Sequence, residues 1–388
     1  MKRNLAIDFV RGLVMIIMAL DHVRDLIHIT GVSQNPTDLS VTTAPIFMTR
    51  WITHLCAPIF VFLSGASVFL AFQRDQDIEK TKRFLLTRGL WLILLEFTIV
   101  NLGLWFDLFY RTILSQVIAA IGVGFIVLSL LLRVRSRYIG YAGLIIIVLH
   151  NLLQGISFEN GTIGQIIWAI FYKGGILYNG PGRMILINYP WIPWIGVMLT
   201  GYGSGFIFTK TENRRRQIYL KIALTTIAAF VLLRIINEYG DPAHWSSQKN
   251  SLFTALSFIN VTKYPPSLLY CCITLGIMFL LLWMVEGVQN KFVDFVIVYG
   301  KVPLFYYLIH WFVVHSILIG VLFIEGYTWS ELNFGKFGLG KPGQGGGGVG
   351  LTGVYIIWIS IILFMYPLCK WYGNYKAQHP EKTFLRYI

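Results

Sequence analysis

Long apolar runs alternate with short polar connections along the chain. Most runs have about 20 residues, the length that an α-helix needs to cross the roughly 30 Å hydrocarbon core of a bilayer. The ten runs cover residues 5–27, 52–73, 84–105, 112–132, 138–154, 189–209, 217–236, 264–286, 292–322 and 350–372. The pattern predicts an all-α integral membrane protein, a polytopic bundle of about ten transmembrane helices, with residues 1–388 in a single domain.

The composition supports a membrane protein and excludes two other classes. Of the 388 residues, 56% are hydrophobic and 13% are charged, and the mean hydropathy is +0.64. A soluble domain is about a quarter charged, and a disordered chain has few apolar residues. The runs also lack the alternating pattern of an outer-membrane barrel, whose strands have about ten residues.

The net charge of +14 follows the arrangement of the apolar runs. About two-thirds of the Lys and Arg residues between the runs lie in the even-numbered connections and at the termini. Because short cytoplasmic loops of membrane proteins are rich in Lys and Arg, both termini are predicted to be cytoplasmic. This bias accounts for the positive charge, so no nucleic acid partner is predicted.

The first apolar run carries charged side chains that are costly in lipid. Asp21, Arg24, Asp25 and His28 are spaced by three, one and three residues, so they share one face of a helix. Ionisable side chains inside a membrane-spanning helix are rare and mark functional sites. The alternative is a ladder of ion pairs that only stabilises the end of the helix.

Histidines gather in the same half of the predicted bundle. On the predicted topology, this outer half contains five histidines and two cations: His22, His28, His54, His310, His315, Arg50 and Lys263. Their convergence predicts a shared polar cavity. No tight metal-ligand motif such as H-E-x-x-H is present, so a metal is not predicted.

The predicted chemistry is general acid–base catalysis. A neutral histidine with a pKa near ~6.5 can take a proton from an attacking amine or hydroxyl. The candidate bases are His22, His28 and His54. Asp21 and Asp25 would orient the base, since a carboxylate fixes the tautomer of a neighbouring imidazole. The candidates for substrate binding and oxyanion stabilisation are Arg50, Lys263 and His310.

Four blocks of the sequence resemble a known family. They are RNLAIDFVRGLVMIIMALDHVRD at 3–25, RWITHLCAPIFVFLSGAS at 50–67, VTKYPPSLLY at 261–270 and VYGKVPLFYYLIHW at 298–311. In this order they resemble the catalytic-domain family of heparan-α-glucosaminide N-acetyltransferase, in its bacterial branch. The resemblance implies a transmembrane acyltransferase of the cell envelope, in a bacterial inner membrane. Its reaction would move an acetyl group from cytoplasmic acetyl-CoA to a sugar or amino-sugar on the far side.

The resemblance also bears on single residues. Asp21 stands where the lysosomal family member has an asparagine implicated in catalysis, and His310 aligns with a histidine of that member. The histidine proposed as the base in that member lies in its first luminal loop, which here has no histidine. The three candidate bases therefore stay open. Arg11 and Lys301 lie near the predicted cytoplasmic end, where they are candidate ligands for the phosphates of acetyl-CoA.

Two other functions are compatible with the pattern. A proton-coupled transporter would use the intramembrane Asp, Glu and His residues as a relay. A membrane scaffold would pair all its polar groups and leave no cavity. The predicted partners of the acyltransferase are acyl-CoA, a glycan or amino-sugar acceptor and membrane lipid, with homo-oligomerisation possible. The sequence leaves open whether the acetyl group is transferred directly or through an acyl-histidine.

Overall fold

The computed structural model describes residues 4–31, 33–159, 161–343 and 346–387, which are mostly helical. The α-helices are α1 Leu5–Ile27, α2 Ala44–Thr53, α3 Cys56–Asp75, α4 Ile78–Leu95, α5 Asn101–Trp105, α6 Val117–Leu131, α7 Ser136–Leu149, α8 Ile163–Trp168, α9 Trp191–Gly203, α10 Glu212–Ile236, α11 Ser251–Ile259, α12 Leu268–Val285, α13 Lys291–Lys301, α14 Pro303–Ile324 and α15 Leu351–Gln378.

Seven helical stretches of the described residues are long and apolar enough to cross a membrane. They are Ala44–Asp75, Ile78–Trp105, Ser136–Leu153, Glu212–Ile236, Leu268–Val285, Pro303–Ile324 and Leu351–Gln378. Each of the ten apolar runs contains a helix, but α1 carries more charge and α6 and α9 are shorter. An integral membrane protein is therefore supported, whereas ten spans and cytoplasmic termini stay predictions.

Helix α1 is enclosed by other helices, which explains how it carries charges. It packs against α2, α3, α12, α13, α14 and α15. The side chains of Val10, Val14, Ala19 and Val23 are fully buried. Asn4 caps the helix by accepting hydrogen bonds from the backbone N–H groups of the first turn. We call the two ends of the bundle the Asn4 end and the His28 end, after the residues that flank α1.

Two glycines allow α1 and α13 to touch through their backbones. A Cβ atom on Gly12 would overlap the carbonyl oxygen of Val296, and one on Gly300 would overlap that of Asp8. Small residues permit such close approach between helices in lipid. The helix is interrupted immediately after this contact, between Lys301 at the end of α13 and Pro303 at the start of α14, since proline cannot continue a helix.

A small sheet lies at the His28 end. Strands β1 Thr112–Ser115, β2 Gly175–Gly180 and β3 Arg183–Ile187 have the order β1-β3-β2, with β1 parallel to β3 and β2 antiparallel to it. The sequence pattern assigned residues 112–115 to a helical apolar run, and this was wrong. The apolar pattern of a short segment does not distinguish a strand from a buried helix. Here the segment is a strand because it pairs with β3, which is distant in the sequence.

A buried arginine, Arg234, fixes the connection between α10 and α12, which lies at the His28 end of the bundle. The Arg234 side chain donates hydrogen bonds to the carbonyl oxygens of Phe258, Ala243, Ser257 and Asn260, at 2.7 to 3.0 Å. Further along the connection, Asp241 accepts hydrogen bonds from Thr262 and Ser267. These contacts fix the segment 261–266, which carries Lys263.

We predict that Gly300→Ala destabilises the folded protein because the new methyl group separates α1 from α13. Overpacking of this kind costs about 1–3 kcal/mol. The measurement is the melting temperature in detergent. Gly320→Ala is the matched control, since a Cβ at Gly320 in α14 meets no atom within 4 Å. Equal melting temperatures for the two variants would contradict the proposed backbone contact.

Candidate active site

The carboxylate of Asp21 is the centre of a polar cluster between α1 and α2. It accepts hydrogen bonds from Arg24 at 2.7 Å and from Thr53 at 2.8 Å. The Arg50 guanidinium contacts both of its oxygens, at 2.7 and 2.5 Å. Arg24 also pairs with Asp25 at 2.6 Å. The ion pairs thus include a ladder within α1, but Arg50 extends them to a second helix.

A cavity of about 400 Å³ opens beside this cluster, and we call it the Lys263 cavity. It is lined by Arg24, Asp25, Asn35, Pro36, Thr37, Arg50, His54, Ala243, Asn260, Val261, Thr262, Lys263 and Tyr264. Four predicted site residues, Asp25, Arg50, His54 and Lys263, are therefore brought to one cavity. Asp21 does not line the cavity itself, but it holds two of the lining residues, Arg24 and Arg50, through ion pairs.

Lys263 gives this cavity a positive charge that no carboxylate neutralises directly. The residue is only 7% exposed. Within the described ranges, no carboxylate lies within 4 Å of its ammonium group, which lies 5.1 Å from the ring centre of Tyr264. By contrast, Arg24 and Arg50 are both paired with Asp21. The free charge favours an anionic or strongly polar group in the cavity.

His22 and His310 form a directly hydrogen-bonded pair. Nδ1 of His22 is 2.6 Å from Nε2 of His310. The ring of His22 also stacks on that of Trp311, with the ring centres 3.8 Å apart. Nδ1 of His310 is 3.1 Å from the carbonyl oxygen of Tyr306, so in the neutral pair this nitrogen carries the proton. It follows that His22 donates from Nδ1 to His310 and keeps a lone pair on Nε2. His310 therefore orients the ring of His22, much as a carboxylate fixes the tautomer and orientation of a neighbouring histidine.

His54 lies in the short break between α2 and α3, facing the Lys263 cavity. Its Nδ1 atom is buried and has no hydrogen-bond partner among the described residues. Its carbonyl oxygen accepts a hydrogen bond from the Tyr270 hydroxyl at 2.8 Å, which fixes the backbone. His54 is thus the candidate base on the cavity wall, whereas His22 is not among the lining residues and is oriented by His310.

His28 occupies a different position from the other two candidate bases. Its ring hydrogen-bonds to Thr30 at 3.0 Å, and its carbonyl oxygen accepts a hydrogen bond from Lys341 at 2.8 Å. Burial and the charges of Lys341 and Arg24 lower the pKa of His28. Burial also lowers the pKa of Lys341 to about 8. His28 therefore belongs to the contact that anchors the 326–349 connection to the end of α1.

A second cavity, of about 350 Å³, lies at the Asn4 end, and we call it the Lys301 cavity. Its cations are Arg11, Arg88, Lys301 and Lys376, and its apolar residues include four aromatic and aliphatic side chains: Phe60, Phe84, Phe125 and Leu304. The predicted phosphate ligands Arg11 and Lys301 thus share one cavity. Sequence reasoning missed Arg88 and Lys376, because it counted both as loop charges that set topology.

Arg11 separates the Lys301 cavity from a neighbouring cavity of about 500 Å³. Its guanidinium donates to the carbonyl oxygen of Leu63 at 3.1 Å and to Ser67. The neighbouring cavity is lined by two further arginines, Arg74 and Arg215. The Asn4 end is therefore a broad cationic surface with two depressions. No group of three His, Cys, Asp or Glu side chains that could hold a metal ion occurs in the described ranges.

We predict that Asp21→Asn destabilises the protein far more than Asp25→Asn. Removing the charge of Asp21 leaves two largely buried guanidiniums without their shared partner, and such a loss costs about 3–5 kcal/mol. Asp25 is the control on the same helix, since its side chain is 42% exposed and, among the described residues, Arg24 is its only ion-pair partner. The measurement is the melting temperature of each variant in the same detergent. A larger decrease in melting temperature for Asp25→Asn than for Asp21→Asn would contradict the central role of Asp21.

Comparison with known proteins places these residues in a family. The family model described as "Heparan-alpha-glucosaminide N-acetyltransferase, catalytic" matches residues 3–234, well over half of the chain. The match contains Asp21, His22, Arg50 and His54, whereas Lys263 and the segment 298–311 lie beyond it. No curated protein matches the sequence. The match confirms the resemblance seen in the sequence, and the chain belongs to the heparan-α-glucosaminide N-acetyltransferase catalytic family.

Proposed function

We propose that the protein transfers an acetyl group from cytoplasmic acetyl-CoA to a sugar or amino-sugar on the far side of a bacterial inner membrane. Family membership implies a membrane acetyltransferase. The observation that supports transfer from a donor on one side to an acceptor on the other is the pair of cavities at opposite ends of α1. The Lys301 cavity is cationic and partly apolar, and the Lys263 cavity is polar with histidine on its wall.

The Lys301 cavity suits the donor. The nucleotide part of acetyl-CoA carries several phosphate charges beside an apolar base, and Arg and Lys are the residues that bind phosphate. The cations Arg11, Arg88, Lys301 and Lys376 line one cavity with aromatic side chains. With the donor there, both termini and this end of the bundle would face the cytoplasm, in agreement with the predicted topology.

The acetyl group then has to travel along α1. Arg11 and His22 are separated by a rise of about 16 Å at 1.5 Å per residue. The pantetheine arm is a thin, flexible chain that can thread between helices, whereas the charged nucleotide stays with its cations. Acceptor and donor would thus remain on opposite sides, and only the thioester would enter the bundle.

In the proposed reaction, His22 acts as the general base. An acceptor amine or hydroxyl attacks the acetyl carbon, forming the new C–N or C–O bond while the C–S bond breaks. The acceptor's proton goes to Nε2 of His22, whose lone pair is left available by the hydrogen bond to His310. The same proton then passes to the departing thiolate, which leaves as CoA thiol. The alternative is a step in which Nε2 itself carries the acetyl group.

The cations of the Lys263 cavity would stabilise the negative charge that develops on the carbonyl oxygen. Among the described residues no carboxylate lies within 4 Å of the Lys263 ammonium group, which is little exposed, so its field is strong in this environment. Arg50 is held by Asp21 and can donate from its remaining N–H groups. Asp21 then acts as a positioning residue, because it contacts the arginine and not the histidine. His54 would bind the acceptor or replace His22 as the base.

We predict that acetyl-CoA raises the melting temperature of the purified protein in a saturable way. Lys301→Ala should weaken this stabilisation by about tenfold in apparent affinity, the effect of losing one charge-assisted phosphate contact. Titrations with acetyl-CoA, CoA and dephospho-CoA measure it. Lys291→Ala is the control, since Lys291 is exposed at the start of the same helix α13 and does not line the cavity. No shift with millimolar acetyl-CoA would overturn the donor site.

We predict that His22→Gln lowers kcat at least about 100-fold, the usual contribution of a general base. Acetyl-CoA should still stabilise the variant as it does the wild type. The assay follows release of CoA thiol with the methyl glycoside of glucosamine as acceptor. His310→Gln should show a smaller loss and an altered pH–rate profile, because His22 loses its orienting partner. If His54→Gln abolishes turnover while His22→Gln does not, His54 is the base.

A further inference from the structure

A third cavity lies next to the Lys263 cavity at the His28 end. Its volume is about 580 Å³, and we call it the Lys173 cavity. It is lined by Gln154, Tyr172, Lys173, Gly174, Gly175, Ile187, Asn188, Pro242, Thr262, Tyr264 and Pro265. Amides, phenol rings and one ammonium group stand among apolar side chains, which is the composition of a site for an amphiphilic ligand.

The two cavities share a wall. Thr262 and Tyr264 line both, on either side of Lys263 in the sequence. Asp241 holds this wall through two hydrogen bonds from Thr262, at 2.8 and 2.9 Å. Tyr264 is 39% exposed and its ring packs edge-on against Tyr189. A ligand in the Lys173 cavity is therefore separated from the proposed acetyl-transfer site only by the short segment 262–264.

The opposite side of the Lys173 cavity belongs to an apolar surface lobe, which comprises residues 152–159 and 161–178. The lobe exposes nine large hydrophobic side chains: Leu152, Leu153, Ile156, Phe158, Ile163, Ile167, Phe171, Ile176 and Tyr178. Its charged side chains are Glu159 and Lys173. The short helix α8 in the lobe has no buried residue at all. Such a surface is too apolar to face water without a partner.

The lobe continues the lipid-facing surface of the bundle. It begins where the apolar stretch Ser136–Leu153 ends. That stretch exposes similar side chains along its length, including Ile145 at 57% and Leu149 at 48%. Because the exposed apolar side chains continue along the chain from the span into the lobe, the bilayer leaflet that surrounds this end of the span would also cover the lobe. The lobe then lies in the interfacial region, as amphipathic segments do.

We propose that the acceptor is the sugar headgroup of a glycolipid, which reaches the Lys263 cavity from the outer leaflet through the Lys173 cavity. This inference rests on the proposed function for the chemistry, but not for the binding site. The lipid chains would stay against the lobe, in the bilayer. The headgroup would lie between Tyr172, Asn188 and Lys173, with its reacting amine or hydroxyl beyond Tyr264. The space beside Gly175 on this wall is open, since a Cβ there would meet no atom within 4 Å.

Membrane anchoring fits the arrangement better than a water-soluble acceptor does. A soluble sugar would need only the Lys263 cavity, which is polar and bounded by Asn35, Thr37 and Asn260. It would not account for an apolar lobe that supplies Gln154, Tyr172 and Lys173 to an adjoining cavity. A protein partner would have to cover a surface that is continuous with the lipid-facing side of α7.

The test uses a dodecyl glycoside of glucosamine with a photoreactive diazirine in its alkyl chain, with the protein in lipid nanodiscs. Gln154→Trp fills the Lys173 cavity. Gln165→Trp is the matched control, since Gln165 lies on the lobe and contacts Ile176 but does not line the cavity. We expect covalent labelling at 152–178 or 262–265 in the wild type, lowered about tenfold by Gln154→Trp and unchanged by Gln165→Trp. Both variants should keep the stabilisation by acetyl-CoA.

Labelling confined to the membrane spans, or equal in all three proteins, would overturn the inference. Turnover gives a second measure: kcat/KM for the dodecyl glycoside should exceed that for the methyl glycoside, and Gln154→Trp should abolish this preference. Equal kcat/KM values for the two glycosides, unaffected by Gln154→Trp, would also overturn it. Localised labelling without stabilisation by acetyl-CoA would support the glycolipid site and refute the acetyl transfer, so the two failures are distinguishable.

Discussion

A helix with two arginines and three aspartates has to be shielded from lipid, and α1 is such a helix. Its charges near the His28 end are held by Asp21, whose carboxylate joins Arg24 to Arg50 of α2. The neighbouring helices provide this shielding by packing closely against α1. Helix α13 approaches it at Gly12 and Gly300, closer than any larger residue allows. Both cavities of the proposed reaction border on α1, so its burial determines where donor and acceptor can bind.

The sequence was most informative where one physical requirement dominates. Apolar runs of about 20 residues become helices because lipid leaves the backbone no other partner. Helix α14 begins at Pro303 for a similarly local reason, since proline cannot continue a preceding helix. The charged face of α1 lies in a polar cluster, and Asp25 on this face lines the same cavity as His54 and Lys263.

Features that depend on distant contacts were out of reach. The strand at 112–115 exists because β3 lies beside it, and its four residues carry no sign of that pairing. Arg88 and Lys376 looked like topology signals, and only the fold brings them to the Lys301 cavity. Helical spacing grouped His28 with the cluster, but its ring is engaged with Thr30. The orienting role of His310 depends on a hydrogen bond across 288 positions of the chain.

The middle of α1 explains why the proposed reaction can cross a membrane without opening it. Between Arg11 and Asp21 the helix is apolar, and Val14 and Ala19 are fully buried in the bundle. This stretch of α1 offers an ion no polar side chain, and a charge in such surroundings is strongly disfavoured. A thioester arm carries no charge and is thin. In the proposed reaction, the charged parts of the donor and the polar headgroup of the acceptor would thus stay at opposite ends of α1, and the reacting carbonyl would meet His22 between them.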